Sequence, residues 1–347
     1  MMRFDYTARP VRVRFGRGIA AVAIGEELPA LGLERVLLIT SRRELPRARQ
    51  LVAAVDGRII GEFLDIRQHV PVETADAAVA MATSSGAEGV LAIGGGSAIG
   101  TAKVIAHQTG LPIVAVPTTY SGSEMTATWG MTQDGVKTTA VDDLVAPRAV
   151  VYDPDLVDGL PDSIAVPSAF NAMAHCIEAL WVSRSNPIID LVALEGIRAL
   201  AEGLELLDGA ERGDATERLL YGAFLGGTAL GSVGSGLHHK ICHALGGAFD
   251  LPHAETHTVI LPEVLAFNAP AVPAIAVRIA TALGGEDAAA ALRALVKRTG
   301  APAHLTDIGL DRDRLSEAVE AVMRRLPVDN PQPVDAAAVE VILRAAL

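Results

Sequence analysis

The run Gly89-Val-Leu-Ala-Ile93 passes without a spacer into Gly94-Gly95-Gly96-Ser97-Ala98-Ile99-Gly100, and Lys103 follows one helical turn later. An apolar run with no polar alternation predicts a strand covered on both faces, as in a parallel sheet. Glycines where that strand enters a helix let backbone amides approach a pyrophosphate, and the helix N-terminus favours its charge. The segment is neither GxGxxG nor a P-loop, since it lacks GK[ST], so a tight packing turn is the competing reading. Similar runs surround it. Arg35–Thr40 (RVLLIT), Gly57–Phe63 and Pro112–Val116 (PIVAV) read as further strands, and Val11–Phe15 (VRVRF) as a half-exposed opening strand. A helical pattern spans Thr74–Ser85. Strands alternating with helices predict a doubly wound, Rossmann-like parallel sheet.

The end of such a strand is where ligands dock in open α/β sheets. After PIVAV comes Pro117-Thr118-Thr119-Tyr120-Ser121-Gly122-Ser123-Glu124, whose density of hydroxyls suits a ribose, a phosphate or a carboxamide. After RVLLIT come Ser41, Arg42 and Arg43, with no carboxylate until Glu44. A strand-end acid ordinarily holds the adenosine 2′-OH and disfavours a 2′-phosphate, so this arrangement predicts tolerance of both NADH and NADPH. Solvated surface arginines are the alternative.

From Asp153 to Ser163 the text turns to DPDLVDGLPDS, which reads as a domain boundary. Beyond it the pattern is helical: Ala165–Val182, Pro187–Leu206, Ala215–Gly231, a histidine-rich segment, then helices to Leu347. The expectation is an α/β domain over 1–154 and an all-helical domain over 155–347, with the active-site cleft between them.

Five of the nine histidines fall in Leu237–Leu261 (LHHKICHALGGAFDLPHAETHTVIL): His238, His239, His243, His253 and His257. His239 and His243 stand four apart and share a helix face, while His238 is rotated by about 100°. Gly246 and Gly247 suit a helix end, and Leu251-Pro252 a turn that returns His253 to that face. Asn171 and His175 repeat the four-residue spacing in FNAMAHCIEAL. Gly226, Gly227, Gly231, Gly234 and Gly236, just upstream, read as close helix contacts or hinges. A lone helical histidine is usually a packed or solvated residue, but this density predicts one polar pocket. No HExxH or CxxC is present. Cys176 and Cys242 lie in the histidine-bearing helices and read as small buried packing residues, which fits a reducing cytoplasm.

A net charge of −12 with no basic cluster argues against nucleic acid and anionic membranes as partners. No apolar run reaches the ~18 residues of a membrane span, and the N-terminus lacks an apolar signal-peptide core.

Taken in order, GGGSAIGTAK, PTTYSGSE, the boundary DP, NAMAHCIEA and HHKICHALGGAFDLPHAETH resemble the iron-containing (group III) alcohol dehydrogenase family, and within it the maleylacetate reductase branch. The resemblance spans nearly the whole chain. It implies a dehydroquinate synthase-like fold, a homodimer, and a nicotinamide facing the histidine pocket. Gly95, Gly96 and Ser97 match the pyrophosphate loop; Thr118, Thr119 and Ser121 match hydroxyls near the nicotinamide ribose and phosphate, and Lys137 a basic residue near that ribose. Ser41 is the strand-end position. Asn171, His175, His239 and His253 fall on metal-ligand positions, and His243 on a further active-site histidine. The general family has Asp where this chain has Asn171, and its GGGSxxD ends here in Gly100. Both departures match the branch regarded as working without a catalytic metal, so none is expected. If Fe or Zn binds, His175, His239 and His253 would hold it.

The activity so implied is NAD(P)H-dependent reduction of the conjugated C=C of maleylacetate, a small dicarboxylate, to 3-oxoadipate in aromatic-compound degradation. His243 and His253 are assigned to proton transfer and enolate stabilisation, and His175 and His239 to the pocket wall. Asn171 and Lys240 are assigned to substrate, although a strict helix turns Lys240 away from His239. His257 and Glu178 read as outer residues that orient an imidazole. The rivals are a metal-dependent alcohol or polyol dehydrogenase, a dehydroquinate synthase-like lyase, and a binding protein that has lost its chemistry.

Overall fold

The computed structural model describes residues 3–133, 136–207, 209 and 212–347, with backbone only at 136 and 137. Two units are distinguished, Ala8–Gly159 and Leu160–Leu347, the latter joined by the N-terminal residues up to Thr7.

The first unit is built on strands β1 (Arg12–Phe15), β2 (Val36–Ile39), β3 (Ile59–Phe63), β4 (Gly89–Gly94), β5 (Ile113–Pro117) and β8 (Ala149–Tyr152). They form one sheet of order β1-β8-β5-β4-β2-β3, parallel at every pairing. Every residue of β2, β4, β5 and β8 is buried, as expected for strands covered on both faces. Helices α1 (Ala20–Ala30), α2 (Leu45–Val52), α3 (Val72–Ser84) and α4 (Gly96–Thr109) make the crossovers. Asp153, at the end of β8, accepts the amides of Gly18 and Ala20 at 2.9 Å each, which pins the start of α1. Two features escaped the sequence reading: β8 itself, and an antiparallel hairpin of β6 (Thr128–Gln133) and β7 (Val136–Val141).

The second unit is helical: α5 (Asp162–Ala179), α6 (Pro187–Leu206), α7 (Arg212–Val233), α8 (Leu237–Phe249), α9 (His253–Asn268), α10 (Pro273–Ala282), α11 (Ala288–Arg298), α12 (Leu315–Met323) and α13 (Ala336–Ala346). Three glycines allow α5, α6 and α7 to approach closely. A Cβ on Gly226 would stand 2.6 Å from the Ala172 carbonyl oxygen of α5; on Gly196, 2.6 Å from Cys176 Sγ; on Gly222, 2.6 Å from Leu200 Cγ. These are sub-van der Waals distances; at Gly226 the neighbour is backbone, so nothing larger than glycine fits there without moving a helix. The predicted helix end at Gly246 and Gly247 is corrected. α8 runs through both to Phe249 and stops at Asp250, which takes the left-handed conformation (φ 53°) usually left to glycine. Among the described residues no helix is long and apolar enough to cross a membrane.

Candidate active site

Helices α5, α8 and α9 bring six imidazoles of the second unit together. His257 lies at their centre, with ring centroids 4.6 Å from His253, 4.7 Å from His238, 4.8 Å from His239 and 6.5 Å from His243. His175 stacks on His239 at 5.1 Å and His243 on His253 at 6.1 Å. The four-residue spacing within α8 works as expected, setting His239 and His243 6.0 Å apart. His253 arrives on the first turn of α9 rather than on a loop. Asn171, one turn before His175 on α5, is buried as well.

Glu178 organises this cluster. Its carboxylate is fully buried and accepts three hydrogen bonds: from the Gly236 amide at 2.9 Å, the His238 amide at 2.6 Å, and His239 Nδ1 at 2.5 Å. The first two are donors that a helix N-terminus leaves unsatisfied, so a side chain of α5 caps α8. Burying a carboxylate costs several kcal/mol. Three charge-assisted hydrogen bonds, each about 1.5–3 kcal/mol, offset that cost. Gly236 makes room for it, since a Cβ there would stand 3.1 Å from Glu178 Oε1 and 2.7 Å from the Asp329 carbonyl oxygen. Because Nδ1 of His239 gives its hydrogen to a carboxylate, the ring's tautomer is set and Nε2 carries the lone pair.

That Nε2 is buried with no hydrogen-bond partner, as are Asn171 Oδ1, His175 Nδ1, His238 Nδ1 and His257 Nε2. Polar atoms left so are costly unless something is received there. His238 Nε2 and His257 Nδ1 satisfy each other at 2.8 Å. Burial holds His175, His238 and His257 well below the ordinary imidazole range, and neighbouring histidines add to the effect. These three are neutral at physiological pH, whereas His243 and His253 are only half-buried. Burial likewise raises the thiols of Cys176 and Cys242, so both are inert packing groups. Lys240 is half-buried and makes no ion pair among the described residues.

In the first unit, the glycine turn and the hydroxyl segment meet. A Cβ on Gly95 would stand 3.0 Å from Thr119 Cγ2, and one on Gly96 3.3 Å from Ser121 Cβ. Gly94 could carry none, with Ala98 Cβ 2.7 Å from its position. The first amides of α4, those of Gly96 and Ser97, are donors with no acceptor inside the helix. Thr118 Oγ1 donates to Glu44 at 2.5 Å, and Ser121 Oγ to Glu124 at 3.4 Å. The hydroxyl segment is anchored from beneath by Lys103. Its fully buried ammonium reaches the Ser123 carbonyl (2.7 Å), Thr126 Oγ1 (2.8 Å) and the Thr128 carbonyl (2.8 Å). Burial lowers Lys103 to about 7 and raises the Glu124 carboxyl, which Tyr152 hydrogen-bonds at 2.7 Å. Lys137 sits on β7, and its side chain lies outside the described residues.

Residues 10–154 match the iron-containing alcohol dehydrogenase domain, and residues 165–347 match the C-terminal domain of the Fe-containing alcohol dehydrogenase family. The chain belongs to the iron-containing alcohol dehydrogenase family. Within that family it is 43% identical to a maleylacetate reductase of Sphingobium indicum over 338 residues, covering 96% of this chain and 94% of that one. The crystal structure of maleylacetate reductase from Agrobacterium tumefaciens superposes with a TM-score of 0.95 at 39% identity, covering 100% of this chain and 98% of that one. A sulfoacetaldehyde reductase from Bifidobacterium kashiwanohense, solved in complex with NAD+, has a TM-score of 0.90 at 25% identity, covering 100% and 99%.

Iron-containing alcohol dehydrogenases are named for a metal; of the positions the resemblance gives for one, Asn171, His175 and His239 each keep a buried donor atom without a partner, but the set brings no carboxylate to offset a divalent ion's charge. Among the described residues, the trio whose donor atoms all lie within 4.8 Å of one another is His238, Cys242 and His257, rather than His175, His239 and His253. In that trio two donor nitrogens already share a hydrogen, and the thiol is held protonated. Asn171 brings an amide where a carboxylate would supply charge, and Glu178 is occupied by its three N–H donors.

Within this iron-containing alcohol dehydrogenase fold, two roles went unassigned in the sequence and the place of a third residue in the cluster was underestimated. Lys103 was visible only as a lysine one turn past the glycines, and Glu44 only as an acid beyond the strand end. His257, read as an outer residue that orients an imidazole, lies at the centre of the ring cluster. Four-residue spacing along α9 was the available signal for it, since that puts His257 on the face of His253.

Proposed function

We propose that this chain reduces the carbon–carbon double bond of maleylacetate, conjugated to a ketone, to give 3-oxoadipate with a reduced nicotinamide dinucleotide as reductant. A homodimeric enzyme of the cytoplasm, as in the family resemblance, is part of the same reading. The observation that supports it best is chemical: the cluster presents imidazoles and one amide, while the carboxylate entering it, Glu178, is consumed internally. Such a lining receives a dianion without like-charge repulsion. The likeness to maleylacetate reductases over nearly the whole chain points the same way.

Gly95, Gly96 and Ser97 with Thr119 and Ser121 would hold the pyrophosphate and ribose of a reduced nicotinamide dinucleotide, which would supply the hydride. Hydride addition to the alkene carbon distal to the ketone moves the π electrons toward oxygen, leaving an enolate. His239 and Asn171 face the substrate's oxygen atoms, Asn171 donating through its amide nitrogen. Donors aimed at a developing oxyanion are worth ~3–4 kcal/mol each. The half-buried His243 and His253 exchange protons with solvent, and one of them protonates the carbon beside the carbonyl, closing the balance of one hydride and one proton. The chain's residues carry these steps without a metal.

The test is nicotinamide absorbance with maleylacetate, compared with simple alcohols and ketones, with and without EDTA. Maleylacetate-dependent oxidation that survives EDTA is expected. Turnover confined to alcohols, lost with chelator and restored by Fe²⁺ or Zn²⁺, would replace this reading with a metal-dependent alcohol dehydrogenase.

A further inference from the structure

The carboxylate of Glu44 is turned back toward the sheet. It precedes α2, its amide hydrogen-bonds Ser41 Oγ at 3.2 Å, and its Oε2 accepts from the same hydroxyl at 3.1 Å. Its Oε1 accepts from Thr118 Oγ1 at 2.5 Å, and Oε2 lies 3.1 Å from where a Cβ on Gly94 would be. Ser41, Gly94 and Thr118 stand at the carboxyl ends of β2, β4 and β5, which are neighbours in the sheet. Glu44 therefore spans three strand ends beside the glycine turn. Arg42 and Arg43, the basic residues nearest this strand end, are exposed.

We infer that Glu44 is the residue that reads the adenosine ribose and makes the enzyme select NADH over NADPH. This deepens the proposed function and rests on it for the cofactor class. An ionised carboxylate has about four lone-pair sites, and the two hydroxyls occupy two of them. The remainder accept from the ribose diol, as a strand-end acid does in other dinucleotide folds. A 2′-phosphate brings negative charge and only acceptors to that place. The hydroxyls that would otherwise donate to it, Ser41 and Thr118, are already committed to Glu44. The acid is supplied three residues past the usual position, by a turn that folds it back over the strand end.

The experiment measures Kd for NADH and NADPH by fluorescence titration of the purified enzyme, together with kcat/KM for each cofactor with maleylacetate. Like-charge juxtaposition is strongly disfavoured, so wild type should bind NADH about 100-fold more tightly than NADPH. Glu44→Gln should shrink that ratio at least about tenfold, mainly through tighter NADPH binding, while Arg42→Ala leaves it within about threefold. Equal use of both cofactors by wild type, or an unchanged ratio in Glu44→Gln with thermal stability retained, would overturn the inference. NADH binding without maleylacetate turnover would sink the substrate assignment alone, since the Kd ratio still reads Glu44. Binding of neither cofactor would overturn both.

Discussion

Glu178 Oε2 and His239 Nδ1 lie 2.5 Å apart in the interior of the helical unit, and the carboxylate that orients this ring also caps the helix carrying it. Position and tautomer of the imidazole are thus fixed by one group, leaving His239 Nε2 bare on the opposite side.

Replacing Glu178 by Gln keeps the shape but sets an NH₂ against either the ring N–H of His239 or the backbone N–H of His238, since one amide oxygen cannot accept at both places. Outer partners of this kind are worth about 10–100-fold in activity, so kcat for Glu178→Gln should fall by that factor. Cofactor Kd should hold. Turnover within twofold of wild type would show that the Glu178 carboxylate does not matter to turnover.

In the proposed mechanism the half-buried His243 and His253 pass protons to and from solvent. General acid–base groups contribute about 10²–10⁴-fold, so His243→Ala and His253→Ala should each lower kcat/KM by at least about tenfold. The NADH Kd should stay near wild type. Unchanged turnover in both variants removes this assignment.

At Gly95 a methyl group would press on Thr119 Cγ2 and shield the α4 amides. Gly95→Ala should raise the NADH Kd by at least about tenfold with little change in melting temperature. An unaltered Kd would show that the turn serves packing alone.

Much of this arrangement could be read from residue order, and the exceptions have physical causes. β4 and β5 announce themselves as unbroken apolar runs, and Gly95 and Gly96 mark the turn because only their lack of a side chain admits Thr119 and Ser121. β8 is four residues long and hemmed between Pro147-Arg148 and Asp153-Pro154, too short for a periodicity to show. The hairpin strand VKTTAV is polar and weakly patterned. Gly246 and Gly247 misled because helix termination needed a left-handed residue, and Asp250 supplied it. In the site, four-residue spacing revealed His239 with His243 and Asn171 with His175. The Glu178 contact joins residues 61 apart, and the Glu44–Thr118 contact residues 74 apart, separations that carry no local pattern.

Acid should unfold the helical unit early. His175, His238 and His257 are held neutral in the folded state but titrate near 6.5 when unfolded. For a depressed imidazole the unfolded chain binds more protons, so stability is complete above about pH 6.5 and is lost as pH falls below it. Lys103, lowered to about 7, adds to the loss as pH falls toward 7, and Glu124, raised by burial, acts in the opposite sense. The melting temperature should therefore drop between about pH 7.5 and 5.5, and by less in His238→Asn, which removes one of the three. A flat profile would contradict the burial of these rings as neutral species.

The most direct measurement uses NADH deuterated at its transferring position and locates the label in the product. Delivery to the alkene carbon places deuterium in the 3-oxoadipate methylene beta to the ketone, where it does not exchange with water. Deuterium on a carbinol carbon, in a hydroxy acid that keeps its double bond, would contradict the account.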